Sequence, residues 1–352
     1  SKEIIESSQG QPISEPLYIS TDKYNDIKSK FGVPLPGDML LTSVGTIGIP
    51  YIVRTDDYFY FKDGNLTWFR NFDDSLSSEF LCYWIGSKDG HGVLNNTTIG
   101  SSQKALTISS LKQIECPLPP IEVQNRIVDI LSAYDALIEN NQKQIKLLEE
   151  AARRLYKEWF VNFRFPGYED TPIVDGVPEG WADGTLGDIA VFKRGKTITK
   201  AQVSDGNIPV VAGGLEPAYY HNKANTTAPL ITVSASGANA GFTRLYNIDV
   251  FASDCSYIDS NSTPFLLFVY CFLKTNAMKL NSLQKGSAQP HVYAKDLNAL
   301  VLSVPSEGVL TAFCGIVSPY FERIRLLQRE NELAAQARDR LLPKLMSGEI
   351  EV

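Results

Sequence analysis

The stretch Ile-Leu-Ser-Ala-Tyr at residues 130–134 returns in the second half of the chain as Ile-Val-Ser-Pro-Tyr at residues 316–320. Other stretches recur at the same spacing: Gly-Ser-Ser-Gln at 100–103 matches Gly-Ser-Ala-Gln at 286–289, and Arg-Leu at 154–155 matches Arg-Leu at 340–341. A period this long exceeds the repeat of a solenoid and indicates a duplicated domain. A duplicated domain in turn favours a target that is read in two halves.

Each copy ends in a charged segment whose apolar residues alternate steps of four and three, the heptad pattern of a coiled coil. The seam of the first segment holds Ile127, Leu131, Tyr134, Ile138, Asn141, Ile145, Leu148, Ala152, Leu155 and Trp159. The seam of the second holds Phe313, Val317, Tyr320, Ile324, Leu327, Asn331, Ala334, Arg338, Leu341 and Leu345. We predict long helices over residues 121–163 and 307–348 that pair antiparallel with each other. The alternative is two unrelated amphipathic helices, each packed on its own domain.

Composition leaves room for a hydrophobic core in each half, because 43% of the 352 residues are hydrophobic. The five Cys contain no Cys-x-x-Cys pair and the three His stand apart, so the sequence predicts no metal site. Unpaired Cys of this kind are typical of a reducing, cytoplasmic location, and no apolar run is long enough to span a membrane. The net charge of −7 argues against a nucleic-acid binder, but only weakly, because binding depends on local patches.

The remaining pattern predicts shorter elements in each half. It favours strands over residues 39–53, a helix over 73–86 with a counterpart over 263–283, a Pro- and Gly-rich linker over 166–180, and a strand at 186–189. The helical segments match better between the copies than the mixed segments do, which suits one scaffold carrying two different heads.

Four motifs carry a resemblance to a known family. They are PGDMLLTSVGTIG at 36–48, PLPPIEVQNRIVDIL at 117–131, LGDI followed by KRGK at 186–196, and LLPKLMSGEIEV at 341–352. The chain resembles the specificity subunit of Type I restriction–modification systems over essentially its whole length. The equivalent of LGDI in the first half would fall before Ser1, which leaves open whether the first head is complete at its N-terminus.

The resemblance implies an α+β fold with a pseudo-two-fold internal duplication. Two mixed α/β target-recognition domains are separated by two long helices that form an antiparallel coiled coil. On this sequence the parts are target-recognition domain 1 at 1–119, a central helix at 120–165, a linker at 166–180, target-recognition domain 2 at 181–306 and a C-terminal helix at 307–352.

The function that the resemblance implies is non-catalytic reading of a bipartite, asymmetric duplex DNA site. Two adenine-methylating modification subunits would bind the helices, and restriction subunits would join them. S-adenosylmethionine, ATP and magnesium are expected in those partner subunits and no cofactor is expected in this chain. The alternative is a coiled-coil scaffold whose heads bind protein or carbohydrate rather than DNA. Residues 190–197 nearly match a phosphate-binding loop, but Ala190 replaces the first Gly, so no catalytic or nucleotide site is predicted.

Candidate DNA contacts fall into three groups. Polar loops before each helix supply Ser102, Gln103, Lys104, Ser287, Gln289 and His291, since Gln pairs bidentately with adenine and Lys and Ser reach phosphates. The alternative is that both Gln residues only cap their loops. Tyr219, Tyr220 and His221 would stack on or flank bases, unless they belong to the core. Lys193, Arg194 and Lys196 are expected at phosphates, the alternative being a solvated surface patch.

Overall fold

The computed structural model describes residues 1–8, 10, 13–100, 104–284 and 290–352. The chain divides into two compact units. Unit 1 comprises residues 1–142 and 329–352, and unit 2 comprises residues 143–328. Two 40-residue helices, α6 (Ile121–Phe160) and α10 (Glu307–Met346), each contribute one part to unit 1 and the other part to unit 2.

Unit 1 is built around a small antiparallel sheet of order β2-β1-β3. Its elements are α1 (Lys2–Ser8), α2 (Thr21–Phe31), β1 (Met39–Thr42), β2 (Pro50–Ile52), β3 (Leu66–Phe69), α3 (Ser78–Gly86), α4 (Lys88–Thr97) and α5 (Ile108–Leu111). Met39, Leu40 and Leu41 of the central strand are fully buried, because both faces of the sheet are covered. Met39 and Leu41 pack among residues of α3 and α4, while Leu40 packs on the opposite face.

The helix predicted over residues 73–86 begins later, at Ser78. The Ser77 side chain accepts a hydrogen bond from the Phe80 backbone N–H at 3.2 Å, so Ser77 is the N-cap. Ser87 then ends α3 and caps α4 through the Gly90 N–H. A methyl group added at Gly90 would lie 2.0 Å from the Trp84 carbonyl oxygen, so only Gly permits this sharp junction.

Unit 2 contains more strands. Its elements are β4 (Ile173–Val174), β5 (Val177–Pro178), β6 (Ala182–Thr185), β7 (Lys193–Arg194), β8 (Ile208–Val211), β9 (Tyr219–His221), β10 (Leu230–Ser234), β11 (Thr243–Tyr246), β12 (Phe251–Ala252), β13 (Cys255–Asp259), α7 (Leu266–Thr275), α8 (Ala277–Ser282), α9 (Ala294–Asn298) and β14 (Val301–Val304). The main sheet has the order β11-β10-β13-β7, a second sheet has the order β12-β8-β9, and β14 pairs with β6.

The internal duplication is confirmed by matching hydrogen bonds in the two units. Strands β2-β1-β3 of unit 1 correspond to β11-β10-β13 of unit 2, with antiparallel pairing throughout. Beyond each central strand lies an isolated antiparallel bridge, Val44 with Ala105 in unit 1 and Ser236 with His291 in unit 2. Ala105 and His291 are separated by the same spacing as the sequence repeat. The duplicated α+β fold predicted from the sequence is therefore present.

Two shorter predictions were wrong. Leu186–Asp188 form a 3₁₀ turn rather than a strand, because the Asp188 carboxylate accepts hydrogen bonds from the Thr185 N–H and hydroxyl at 2.7 and 3.0 Å and so closes a turn. The helix predicted over 263–283 is two helices, α7 and α8, separated at Asn276. The Asn276 side-chain amide donates to the Phe272 carbonyl, which ends α7.

The two long helices run antiparallel in unit 1. Ile127 and Leu131, near the start of α6, cluster with Leu345, near the end of α10. Farther along, the Asn141 side-chain amide donates to Glu330 at 2.9 Å. Residues of increasing number on α6 thus contact residues of decreasing number on α10, so the two helices run antiparallel here. Asn141 is buried and tied to α10 by this bond, as a register-fixing seam residue should be.

The same antiparallel arrangement holds within unit 2. The Tyr156 and Trp159 rings, near the end of α6, lie 6.1 and 5.8 Å from the ring of Phe313, near the start of α10. Phe268 of α7 joins them, 5.5 Å from Tyr156, so these helix parts also bury apolar surface against the head.

Every seam position predicted from the sequence is buried or half-buried. The buried ones are Ile127, Leu131, Asn141, Ala152, Trp159, Phe313, Val317, Ile324, Leu327, Ala334 and Leu345.

Candidate nucleic-acid interface

One end of the main sheet of unit 2 brings together Arg194, Lys196 and His291, three of the residues predicted to contact DNA. Strand register places Ser234 opposite Cys255 and Ser256 opposite Arg194, so the ends of β10 and β7 and the start of β13 meet there. We call this region the polar end of unit 2. It is defined by Arg194, Lys196, Ser236, Asp254 and His291.

A chain of side-chain contacts crosses the polar end. An Nη2 hydrogen of Arg194 is donated to Asp254 Oδ1, and the Ser236 hydroxyl is donated to Asp254 Oδ2. The side chain of Arg194 remains 46% exposed and that of Asp254 34% exposed. The pair thus lies at the surface with one guanidinium nitrogen bound and the rest of the group accessible.

The backbone around Arg194 requires a glycine. A methyl group added at Gly195 would lie 2.3 Å from the Ser253 carbonyl oxygen, closer than any real contact. This close approach lets the Gly195 N–H donate to Cys255 at 2.8 Å and the Lys196 N–H donate to Ala252 at 2.9 Å. These two bonds fix the main chain at residues 195 and 196. The side chains of Lys193 and Lys196 are exposed.

His291 is placed at the polar end by its bridge to Ser236. Its ring stacks on that of Tyr293, with centroids 5.9 Å apart and planes inclined by 11°. The Lys295 ammonium group lies 5.9 Å from the Tyr293 ring. Tyr293 and Lys295 are both exposed, which adds an aromatic face and a cation that the sequence reasoning had not selected.

Four sequence candidates, Ser102, Gln103, Ser287 and Gln289, lie outside the described residues. Their flanks are described. Gln284 donates its side-chain amide to the Ala240 carbonyl at 2.9 Å, and the Pro290 carbonyl accepts from the Gly237 N–H at 3.1 Å. Lys104 is exposed beside the Ala105 bridge of unit 1.

The Tyr219–His221 group lies on β9, in the second sheet rather than at the polar end. Tyr220 is exposed and Tyr219 is half-buried. His221 is buried, its Nδ1 accepts from the Ser204 N–H at 3.0 Å, and its ring meets Phe251 edge-on at 5.5 Å. His221 therefore matches the alternative given from the sequence, a residue packed in the core.

The corresponding end of unit 1 has the same backbone but different side chains. The Ser43 N–H donates to the Asn65 carbonyl at 2.7 Å, as the Ala235 N–H donates to the Asp254 carbonyl at 3.3 Å in unit 2. The Leu106 N–H likewise donates to Ser43, and Val292 to Ala235. These bonds align Val44 with Ser236 and Asn65 with Asp254. The Arg194–Asp254–Ser236 contacts of unit 2 therefore have no equivalent at those positions of unit 1.

The thiols of Cys82, Cys116 and Cys255 are poor nucleophiles at neutral pH. Burial raises the pKa of the Cys82 and Cys255 thiols to about 12 and that of Cys116 to about 11, so all three stay protonated at neutral pH. Among the described residues, no three His, Cys, Asp or Glu side chains are grouped closely enough to hold a metal ion. Within the same part of the chain, no helix has both the length and the apolar character needed to cross a membrane.

Comparison with known proteins decides the family. The family model described as "Type I restriction modification DNA specificity domain" matches residues 3–150 and 178–334. The chain belongs to this family. The two matched ranges follow the internal duplication, so the family's domain occurs twice in this specificity subunit. Members are the DNA-recognition components of restriction–modification complexes and are not themselves the catalysts.

Individual relatives support the assignment. The chain is 29% identical over 345 residues to the Type I restriction enzyme MjaIX specificity subunit of Methanocaldococcus jannaschii, covering 90% of this chain and 78% of that protein. It is 22% identical over 329 residues to the Type I restriction enzyme HindI specificity subunit of Haemophilus influenzae, covering 70% and 71%. The S subunit of the Type I restriction–modification system of M. genitalium has the same fold, with a TM-score of 0.57 at 19% identity over 90% of this chain and 84% of that one.

Proposed function

We propose that this specificity subunit reads a bipartite, asymmetric duplex DNA site, one half with residues 1–119 and the other with residues 181–306. The observation that supports this most directly is the pair of matching sheet ends. The same main-chain hydrogen bonds surround Val44 in unit 1 and Ser236 in unit 2. A shared frame with different side chains is what two readers of different half-sites require.

The side chains at equivalent positions differ in hydrogen-bonding capacity. Ser236, Asp254 and His291 in unit 2 all carry hydrogen-bonding side chains, whereas of the equivalent residues Val44, Asn65 and Ala105 in unit 1 only Asn65 does. Because bases are told apart by donor and acceptor patterns in the grooves, two such ends select different base pairs. The site read by the two heads is then asymmetric.

Affinity for the phosphate backbone comes from cations that are not engaged elsewhere. Within the described ranges, Lys193 and Lys196 have no ion-pair partner and both are exposed. A lysine that neutralises a phosphate releases a counterion whatever the base sequence, so these residues contribute attraction without choice. Lys104 has the same role in unit 1.

The paired helices bind two adenine-methylating modification subunits, and restriction subunits join them. Apolar side chains on the outer faces of α6 and α10 support this assignment. Leu137 and Leu333 in unit 1 are 37% and 50% exposed, and Leu147 and Leu326 in unit 2 are 65% and 45% exposed. S-adenosylmethionine, ATP and magnesium are bound by those partners, this chain carries no cofactor, and the complex acts in the cytoplasm.

Salt-dependent binding tests the proposal. The chain, assembled with modification subunits, is titrated with a random duplex library between about 50 and 200 mM salt, with modification subunits alone as the control. We expect log affinity to fall linearly with log salt, and a selected duplex to bind at least about a thousandfold more tightly than bulk DNA. Binding that is insensitive to salt, or equal for all duplexes, would contradict the proposal and favour a scaffold whose heads bind protein or carbohydrate.

A further inference from the structure

We propose that Asp254 is a positioning residue that aims the Arg194 guanidinium at a guanine. The chain Arg194–Asp254–Ser236 then reads one G·C base pair in the half-site recognised by unit 2. This inference rests on the proposed function and deepens it. It assigns Arg194 to base readout and leaves the neighbouring Lys193 and Lys196 at phosphates.

The presence of Asp254 beside a cluster of cations requires an explanation. The cations Lys193, Arg194 and Lys196 lie within four residues of one another, and Asp254 cancels the charge of one of them. A carboxylate beside DNA is also repelled by phosphates. If all three cations served only to attract the backbone, Asp254 would oppose them. A half-exposed ion pair adds little to stability either, so holding the geometry of Arg194 is the role that remains.

The contacts suit that role. Both Asp254 oxygens are engaged, Oδ1 by Arg194 and Oδ2 by the Ser236 hydroxyl, so the carboxylate is held from two sides. The Ser236 backbone is in turn fixed by its bridge to His291. A carboxylate anchored in this way restricts the plane and rotamer of the guanidinium it binds, which reduces the entropy lost when Arg194 engages a base.

Arginine fits the second partner as well. The guanidinium has five N–H donors in one plane, and the bond to Asp254 uses one nitrogen, Nη2. The Nε and Nη1 groups have no partner among residues 1–8, 10, 13–100, 104–284 and 290–352. Guanine offers two adjacent acceptors in the major groove, O6 and N7, which arginine engages bidentately. Lysine has no such planar fork.

At the described positions of unit 1 that align with Ser236 and Asp254, the side chains that form these contacts are absent. At the equivalent positions of unit 1, Val44 has no hydroxyl and Asn65 has no charge. An arginine there would find no anchored carboxylate. The shared backbone therefore presents this reader in unit 2 and not in unit 1, which makes the two half-sites differ at the base pair concerned.

The test uses the chain assembled with its modification subunits, with the methylated motif mapped on a random duplex library. Asp254→Asn keeps the shape but removes the charge, and Arg194→Lys keeps the charge but removes the fork. We expect both to lose about tenfold or more discrimination at the same single G·C pair. Ser236→Ala should relax that pair to a smaller degree. The matched control Asn65→Ala, at the equivalent position of unit 1, should leave it unchanged.

The outcomes separate this inference from the proposed function. If Arg194→Lys and Asp254→Asn change no base preference, or weaken all sequences equally, Arg194 is not a base reader and the inference is overturned while the function stands. A wild-type complex that methylates without any base preference would overturn both. If thermal unfolding shows that Asp254→Asn is not folded, Arg194→Lys and Ser236→Ala still decide the result.

Discussion

Arg338 of α10 donates from Nη1 to Asp135 of α6 at 2.5 Å. The other Asp135 oxygen accepts the Tyr83 hydroxyl of α3 at 2.5 Å, so one carboxylate joins three helices of unit 1. Burial, and then this hydrogen bond, raise the pKa of Tyr83, so the phenol stays a donor at neutral pH. The heptad pattern had placed a charged residue in the seam without its partner, which the structure supplies.

Breaking this contact should weaken unit 1. We expect Arg338→Ala to lower the free energy of unfolding by roughly 1 kcal/mol, because both side chains are partly exposed and solvent screens the pair. Together with Asp135→Asn, a double-mutant cycle by urea denaturation should give a coupling of about 0.5–1 kcal/mol. Arg340→Ala, at an exposed position two residues on, is the matched control and should change little. A coupling near zero would show that the contact contributes no stability.

Glu149 of α6 should make unit 2 less stable at neutral pH. Burial raises the pKa of its carboxyl, and Lys274 and Arg153 offset this only in part. A folded pKa above the unfolded value means that stability is fully present below the unfolded pKa and is lost as pH rises through the folded pKa. Glu149→Gln should therefore raise the free energy of unfolding at pH about 7, and this gain should disappear towards about pH 4.

Urea denaturation at several pH values provides the measurement for Glu149. The exposed Glu169 serves as the control, since Glu169→Gln should change stability at none of them. A Glu149→Gln variant that is less stable at pH about 7 would mean that attraction to Lys274 and Arg153 outweighs burial.

Affinity for DNA rather than base selection should depend on Lys193 and Lys196, the two exposed lysines beside Arg194. Lys193→Ala with Lys196→Ala should weaken specific and non-specific duplexes alike and reduce the slope of log affinity against log salt by up to about two. The methylated motif should stay the same. Lys146→Ala with Lys157→Ala on α6 is the control of equal charge, and its slope should match the wild type. An altered motif in the Lys193 and Lys196 variant would place a base contact on these lysines.

Two glycines of unit 2 should respond to alanine in opposite ways. Gly195→Ala brings a methyl group 2.3 Å from the Ser253 carbonyl oxygen, so we expect a loss of at least about 1–3 kcal/mol and weaker DNA binding. Gly315 lies inside α10 with nothing within 4 Å of an added methyl group, so Gly315→Ala should stabilise by about 0.5–1 kcal/mol. Thermal unfolding compares the two, and a neutral Gly195→Ala would mean that the strand edge yields easily.

The duplicated scaffold was readable from the sequence because its signals are periodic. A heptad pattern sustained along the whole of each long helix leaves few alternatives to a paired helix, and the constant shift between matching stretches located the second copy. Short elements depend on single side chains instead. The Ser77 cap displaced the start of α3, Asp188 closed a turn where a strand was expected, and Asn276 divided a helix. None of these single side chains produces a periodic pattern in the sequence.

The candidate site was predictable only in part. The basic cluster at 193–196 stands out in sequence because its members are adjacent. Asp254 does not, since it is distant from Arg194 in the sequence and meets it only when β7 joins the sheet beside β13. Tyr293 and Lys295 gain their interest from the stacking of His291, again a product of folding. The sequence left open whether His221 contacts a base or belongs to the core, and its position on β9 buries it.

Replacement of one head is the most direct measurement of the account's central claim. Residues 181–306 are exchanged for the corresponding segment of another family member, the chain is assembled with its modification subunits, and the methylated sequences are mapped. If each head reads its own half-site, one half of the motif changes to that of the donor and the other half stays as in the wild type. A motif in which both halves change, or neither does, would contradict independent reading by two heads.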